Sequence, residues 1–372
     1  MFKWYYPQDS SGRPVNFVHW HTILYKSTLT WPKTNFLMEN FEDIRKFSAC
    51  FCNVNAKING LIRFLYLLLN SNKIKKVFDM FYTSIYIHEN EHSDLNKISE
   101  RKIRMLFSMC NKFFIPMGLY ALPPIIALII DPFSQTKPFV YPSVFPYDAQ
   151  SVGRFLFVNL SFTFIGIFTV TLWNAEDVFI SIIMSYTQAR YQMLYEELDG
   201  LCNFEGNIKI YRSKLKLIMK NQQILQRCKD LSQDLFSFSM FIAMAYATLH
   251  FCMISFVLTK IGFEADSVKY LSWMLVQILE IFLLCYFCQM ASDAADGIKD
   301  RFYFCGWENL LYSGADKKDI LDIVRKIQYG IARSSRPTVY KTWYYWDLSL
   351  QGFKVVLSTS LSYFMFLNTL DN

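Results

Sequence analysis

Six long apolar stretches, separated by polar loops, limit what this chain can fold into more than any other feature. They run over residues 47–69, 113–130, 155–175, 235–259, 270–292 and 348–370. Each has about the 20 residues that an α-helix needs to cross the hydrocarbon core of a bilayer. Because backbone groups cannot be left unpaired in lipid, such stretches predict spanning helices. The sequence therefore predicts an all-α polytopic membrane helix bundle.

The distribution of Lys and Arg between the loops predicts an orientation. Loops 70–112, 187–234 and 292–347 hold eight, eight and nine of these residues, whereas loops 131–154 and 260–269 hold two each. Basic loops are retained in the cytoplasm during insertion. We therefore expect the three basic loops inside and the carboxyl terminus outside. The net charge of +7 is spread over loops beside spans, and this pattern argues against a nucleic-acid partner.

The first apolar stretch is the weakest, because 47–69 contains Asn53, Lys57 and Arg63. Ahead of it, residues 1–46 carry six basic residues and no uncharged run long enough to span. We interpret 1–46 as a cytoplasmic or interfacial segment and 47–372 as a single transmembrane domain. A cytoplasmic amino terminus and an extracellular carboxyl terminus require an odd number of spans. Six evident spans of a seven-span architecture are therefore expected, without a clear first helix.

Two ionisable residues fall inside predicted spans. Glu280 lies in the middle of 270–292, and Lys354 lies near the start of 348–370. A charge that faces lipid costs several kcal/mol. We expect both side chains to face the bundle interior or water, as functional groups or as structural partners.

Two segments of the basic loops are predicted to be amphipathic anchor helices, near 208–234 and 318–334. Their apolar residues recur at helical spacing; these residues are Ile210, Leu217, Ile224, Leu231, Ile320, Val324, Ile327 and Ile331. The two helices are expected to pack together beneath the membrane or to lie on the bilayer surface. Loop 131–154 contains four prolines and is interpreted as an ordered external lid.

Catalytic and metal-binding motifs are absent from the sequence. No H-E-x-x-H, G-x-S-x-G or Walker motif occurs, and the five His residues lack ligand spacing. We predict that the chain is not an enzyme and needs no cofactor or metal. The last span lacks Asn-Pro-x-x-Tyr, and the orientation is the reverse of a G-protein-coupled receptor, so no obligatory G protein is expected.

Several short motifs resemble those of insect odorant receptors. Residues 362–370, Ser-Tyr-Phe-Met-Phe-Leu-Asn-Thr-Leu, are similar to the Thr-Tyr-x5-Gln-Phe ending of insect chemoreceptors. Further similarity lies in Lys354 to Ser358, in Gly306-Trp307, in Asn221 to Leu225 and in Trp31-Pro32. Together these motifs extend over most of the chain from residue 31. Its length and short inside loops resemble an odour-specific subunit of that family rather than the longer coreceptor.

The resemblance implies a ligand-gated, non-selective cation channel in the plasma membrane of olfactory neurons. Four subunits, this chain and a coreceptor, would surround a pore lined by the last helix. Phe366 and Leu370 are four residues apart and share a helical face, so they are candidates for a hydrophobic constriction. By the same resemblance Thr369 lies beside this gate and Asp371 at the outer mouth.

A volatile, mainly apolar ligand needs a closed pocket of aromatic and aliphatic side chains with few polar anchors. The outer halves of the middle spans supply such residues. Our candidates are Tyr120, Phe157, Phe162, Trp273 and Gln277. Plain packing is the competing interpretation for each, because aromatic residues are abundant in these spans.

Two other classes of protein compete with the odorant receptor interpretation. A gustatory-type channel of the same superfamily shares the physics, although Thr369-Leu370 departs from the gustatory Gln-Phe ending. A transporter is expected to show Pro-broken helices in matching halves, and Pro123 and Pro124 have no counterpart in the later spans.

Overall fold

The computed structural model is a bundle of long helices. It describes residues 44–86, 93–112, 122, 124–126, 129–131, 137–139, 143, 149–202, 208–261, 265–312, 316–343 and 345–370. The helices are α1 (Ile44–Leu69), α2 (Ser71–Met80), α3 (Ser93–Lys112), α4 (Val152–Cys202), α5 (Ile208–Ile261), α6 (Ala265–Asp296), α7 (Ile298–Tyr303), α8 (Lys317–Ser334) and α9 (Leu350–Leu370). A π-helical turn (Phe81–Ile85), a 3₁₀ turn (Trp307–Tyr312) and a hairpin of β1 (Lys341–Thr342) and β2 (Trp346–Asp347) complete the described elements.

Within these residues, four helices are long and apolar enough to cross a membrane. They correspond to the predicted spans at 155–175, 235–259, 270–292 and 348–370. The stretch at 47–69 forms α1, but its polar residues make this helix less apolar than a membrane-spanning helix is expected to be. The described residues do not include most of the stretch at 113–130. They also do not include residues 1–43, where a first span would be expected.

Helices α4 and α5 are far longer than a bilayer is thick. They contain 51 and 54 residues and are therefore about 76 Å and 81 Å long at 1.5 Å per residue. Roughly half of each must project beyond the hydrocarbon core, which is about 30 Å thick. Residues 186–235 and 291–348 form this projecting part, which we call the anchor region.

The anchor region contains the largest apolar core of the described chain. Leu198, Leu215, Phe302 and Ile323 are fully buried there on four different helices. Helix α8 begins where Asp316 caps it and is tied to α5 by Arg212, which pairs with Asp319 at 2.7 Å. Helix α8 therefore contacts the first part of α5 within this core.

Over residues 210–218 the predicted apolar face of the first anchor helix is wrong by one residue, although Leu231 further along does pack against the core. Ile210 and Leu217 are half-exposed, whereas Tyr211, Ile218 and Leu225 are buried. A shift of one residue rotates a helical face by about 100°. Both rows contain large apolar residues, so only the neighbouring helices decide which row is buried.

Gly306 explains the Gly-Trp motif that follows α6 and α7. Its backbone is left-handed, with φ of +73°, and a Cβ there would lie 2.6 Å from the Cα of Cys202. The chain thus turns against the end of α4 at a position that only glycine tolerates.

We expect Gly306→Ala to destabilise the protein by about 2 kcal/mol or more, because it adds backbone strain to a clash with the backbone of Cys202. Thermal unfolding of the purified protein measures this loss. Gly200→Ala is the matched control: nothing lies within 4 Å of its Cβ, and alanine favours the helix. Equal unfolding temperatures for the two variants would contradict the assigned role.

The β-hairpin anchors the start of α9 against α5. The ring of Phe241 lies 5.3 Å from Trp343 and 5.5 Å from Trp346, and the side chain of Gln233 accepts a hydrogen bond from Lys341 N at 2.9 Å. Such aromatic clusters are typical of a membrane interface. They fix the position from which α9 enters the apolar layer.

At the opposite end of the bundle, which we call the lid end, Lys137 and Gln150 join the two sides of loop 131–154. Lys137 N donates to Gln150 Oε1 at 2.9 Å, and Lys137 Nζ donates to the Gln150 carbonyl at 3.0 Å. Phe139 also packs on Phe155 at the start of α4, with ring centroids 5.4 Å apart. The described residues of this loop are thus joined to each other and to the start of α4.

Candidate ligand site and pore helix

A polar and aromatic group of side chains lies inside the bundle where α5 faces α6. His250 and Gln277 are hydrogen-bonded and buried, at 3% and 2% exposure. Tyr246 stacks on His250 with centroids 5.0 Å apart, and Trp273 meets His250 edge-on at 6.0 Å. Each helix contributes two residues one turn apart, so the four side chains share facing stripes.

Helices α1 and α4 close this region from the other side. Ala56 of α1 packs against Tyr246 and Trp273, and the ammonium of Lys57 lies 5.2 Å above the ring of Phe162. His250 is eleven residues from the lid-side end of α5, or about 16 Å into the bundle. The group is therefore deep enough to be shielded from water.

Within the described part of the chain, the region retains polar groups without a protein partner. One is the Nε2 atom of Gln277, and the Nδ2 and Oδ1 atoms of Asn59, one turn along α1 from Ala56, are also buried. A buried donor or acceptor without a partner costs about 1–3 kcal/mol. A ligand hydroxyl or carbonyl that satisfies one of them would recover part of that cost.

The structure brings only some of the predicted ligand residues together. Trp273 and Gln277 meet at His250, and Phe162 is buried nearby against Val158 and Ile254. Phe157 is 66% exposed on the outer surface of the bundle and does not join them. Tyr120 lies outside the described residues.

Sequence reasoning missed Tyr246 and His250. The spacing of the five His residues carries no metal-binding signal, and among the described residues no three metal-binding side chains come together. The available signal was a Tyr and a His one turn apart in a span without charges, since polar groups inside a membrane helix normally have a partner there.

A buried ionic cluster joins α1, α4 and α5 nearer to the anchor region. Arg63 Nε donates to Glu176 Oε2 at 2.8 Å and to Ser239 Oγ at 3.2 Å, and Arg63 Nη2 pairs with Asp177. Arg63 and Glu176 are each only 2% exposed at the side chain. Arg63, one of the polar residues that weaken the first apolar stretch, therefore joins α1 to α4 and α5.

The two predicted intramembrane charges have different surroundings. Glu280 is 6% exposed and lies within electrostatic range of Arg63, so it faces the interior as expected. Lys354 is exposed on α9. An exposed ammonium at this position requires water or the bilayer surface.

Helix α9 is the least covered of the four candidate spans. Only 17% of its most apolar stretch is buried, compared with 61% for α5. It packs on α5 and α6 through Gly352, Val356 and Ser360, which are buried and one turn apart. A groove of about 740 Å³ remains open between α9 and α5.

The uncovered side of α9 carries a polar stripe. Gln351, Lys354, Ser358, Ser362 and Thr369 are all exposed and lie within one third of the helix circumference. Polar residues repeated along one face of a membrane helix are expected to face water rather than lipid.

The predicted gate residues lie at the end of this stripe. Phe366 is 58% exposed, and Thr369 Oγ1 donates to its carbonyl oxygen at 2.7 Å. Leu370 is the last residue of α9. Asp371 lies outside the described residues.

This arrangement defines a multi-pass helical membrane protein with a largely uncovered terminal helix. The model of the 7tm odorant receptor family matches residues 43–361. The chain therefore belongs to that family. The match begins where α1 begins, and it decides against the gustatory and transporter interpretations.

Known proteins that are similar to this chain in sequence or in structure are also odorant or olfactory receptors. Odorant receptor 13a of Drosophila melanogaster is 26% identical over 366 residues, covering 94% of this chain and 86% of that protein. Odorant receptor 35a is 22% identical over 359 residues, covering 90% and 85%. The olfactory receptor OR5 from Machilis hrabei shares the fold with a TM-score of 0.78 at 14% identity, over 98% of this chain and 93% of that one. The same receptor solved with eugenol gives 0.79.

Proposed function

We propose that this protein is an odour-gated subunit of a non-selective cation channel, assembled with a coreceptor into a heterotetramer. The observation that carries the proposal is the uncovered polar stripe of α9. Four such stripes around one axis would enclose a water-filled path, and the exposed apolar surface of α9 beside each stripe would be covered by neighbouring subunits. Phe366 and Leu370 would then narrow the path and block ions by dewetting.

The group around His250 is the proposed odorant site. The OR5 receptor from Machilis hrabei was solved with eugenol, a small and mostly apolar phenol. Such a ligand needs aromatic walls and one or two polar anchors. Tyr246, Trp273 and Phe162 supply walls, and Gln277 with Asn59 supplies anchors.

Helix α6 provides a direct connection from this site to α9. Ile281, one turn beyond Gln277, packs in a cluster with Met244 and Val356 of α9. Phe282 meets Phe353 edge-on at 5.6 Å. We infer that α6 moves together with α9 when the pore opens. A ligand then opens the pore only if it binds the open arrangement of α6 more tightly than the closed one.

We propose an orientation with the amino terminus and the anchor region in the cytoplasm and the carboxyl terminus outside the plasma membrane. The loops of the anchor region hold 17 of the 38 Lys and Arg residues, whereas loops 131–154 and 260–269 hold two each, which supports this orientation. Antibody labelling of terminal tags on intact cells tests it. A carboxyl-terminal tag that is reached only after permeabilisation would contradict it.

Replacing Gln277 by Met tests the ligand site. We expect the half-maximal concentration for a hydroxyl-bearing odorant to rise by roughly tenfold, because a lost hydrogen bond in a buried site costs about 1–2 kcal/mol. The response to apolar odorants is expected to change much less. Current recording with the coreceptor in cells without other odorant receptors measures both.

Phe157→Ala is the control for this experiment, because it removes an aromatic side chain from the outer surface at a position outside the cluster. It is expected to leave the dose–response curve unchanged. A Gln277 variant with normal sensitivity to every odorant, or a Phe157 variant with a strong loss, would place the site elsewhere.

A further inference from the structure

A polar groove of about 780 Å³ opens in the anchor region between α5 and α8. Four basic side chains line it: Lys220, Arg227, Arg333 and Arg336. One carboxylate, that of Asp230, also lines the groove, and it lies 4.0 Å from the ammonium of Lys229 outside the lining. The groove thus concentrates positive charge that its own lining does not balance.

The lining is shaped by contacts between the two helices. Arg333 Nε donates to Gln226 Oε1 at 3.0 Å, which holds this guanidinium at the wall. Gln222 Nε2 donates to Ser334 Oγ at 2.6 Å beneath it. Tyr329 and Gln223 complete an exposed rim with an aromatic ring and an amide.

An anion that enters the groove would lower the mutual repulsion of its four cations. Guanidinium groups bind phosphate through paired hydrogen bonds. A groove with several of them therefore matches a ligand that carries several phosphates better than a ligand that carries a single carboxylate. We propose that this groove binds a polyphosphorylated small molecule or headgroup, such as an inositol polyphosphate. This site is separate from the odorant site and does not depend on it.

The distance of the groove from the membrane distinguishes two possible ligands, a phosphorylated lipid headgroup and a soluble polyphosphate. Arg227 is eight residues, or about 12 Å, from residue 235 where the apolar span of α5 begins, and Lys220 is about 22 Å from it. A lipid headgroup stays close to the bilayer surface, whereas a soluble inositol polyphosphate reaches the whole groove. Both carry the phosphates that the arginines recognise.

Binding of inositol hexakisphosphate to the purified receptor complex tests the proposal by calorimetry and by thermal unfolding. We expect saturable binding that weakens with salt and raises the unfolding temperature. The variant Lys220→Gln, Arg227→Gln, Arg336→Gln is expected to bind roughly 1,000-fold more weakly, because each of the three lost charged contacts costs about tenfold.

A second triple variant controls for net charge. Lys75→Gln, Arg101→Gln and Lys299→Gln remove three exposed charges away from the groove and are expected to leave binding unchanged. Nanodiscs with and without phosphatidylinositol 4,5-bisphosphate identify the source: protection by the lipid alone assigns the site to a headgroup, and protection by the soluble ligand alone assigns it to a free polyphosphate. No binding of either probe, equal binding by both triple variants, or a groove closed by a neighbouring subunit would overturn the proposal.

Discussion

Replacing Arg63 by Met is expected to prevent most of the receptor from reaching a stable fold. The change leaves the carboxylates of Glu176 and Asp177 buried without their counterion. Breaking a buried pair in this way costs about 3–5 kcal/mol, a large part of the total stability of a typical protein. The yield of monodisperse complex and its unfolding temperature measure the loss.

Two further variants make this test specific. Arg63→Met combined with Glu176→Gln and Asp177→Asn removes the whole ionic group, and we expect it to recover much of the stability, since a neutral replacement avoids the unpaired charges. Arg301→Met breaks an ion pair with Asp199 that is half-exposed, and it should cost less than about 1 kcal/mol. A stable Arg63 single variant, or a triple variant as damaged as the single one, would show that the cluster does not hold α1.

Replacing Phe366 by Ala is expected to produce a large current without odorant. The phenyl ring is proposed to close the path by excluding water, and alanine leaves the constriction wide enough to stay wet. A shift of about 1.4 kcal/mol between closed and open states changes their ratio tenfold, so basal current should rise by roughly that factor or more. Leu370→Ala should act in the same direction.

Phe164→Ala controls for the loss of an exposed aromatic ring, because Phe164 is 70% exposed on α4 away from α9. Its basal current should match the unchanged receptor. Currents are normalised to the maximal odorant response and to surface expression. If both gate variants reach the surface, respond to odorant and remain silent without it, Phe366 and Leu370 do not form the gate.

Helical spans could be predicted from this sequence because hydrophobicity over 20 residues is a strong and local signal. Four of the six predicted spans reappear as long apolar helices. The fate of Phe157 and Phe162 shows the limit of that signal. Lipid tails are as apolar as a protein interior, so an aromatic residue facing lipid has the same pattern as one facing the bundle. Sequence spacing alone could not separate them.

Contacts between residues far apart in the sequence also could not be predicted from the sequence. Arg63 meets Glu176 across 113 positions and Ser239 across 176, and His250 meets Gln277 on another helix. Each partner is an ordinary polar residue in its own segment. The requirement that a buried charge be paired predicts that a partner exists, but the packing of three helices decides which residue it is.

Chemical modification of single cysteines along α9 tests whether this helix lines the pore. Ser358 and Ser362 are exposed on the polar stripe, whereas Ser360 is buried against the bundle and donates to the Val356 carbonyl at 2.7 Å. Each is changed to Cys, and a cationic thiol reagent is applied during odorant-evoked current. We expect rapid block at 358 and 362 and none at 360. Block at 360 alone, or no block at any of the three positions in channels that still conduct, would contradict a pore lined by α9.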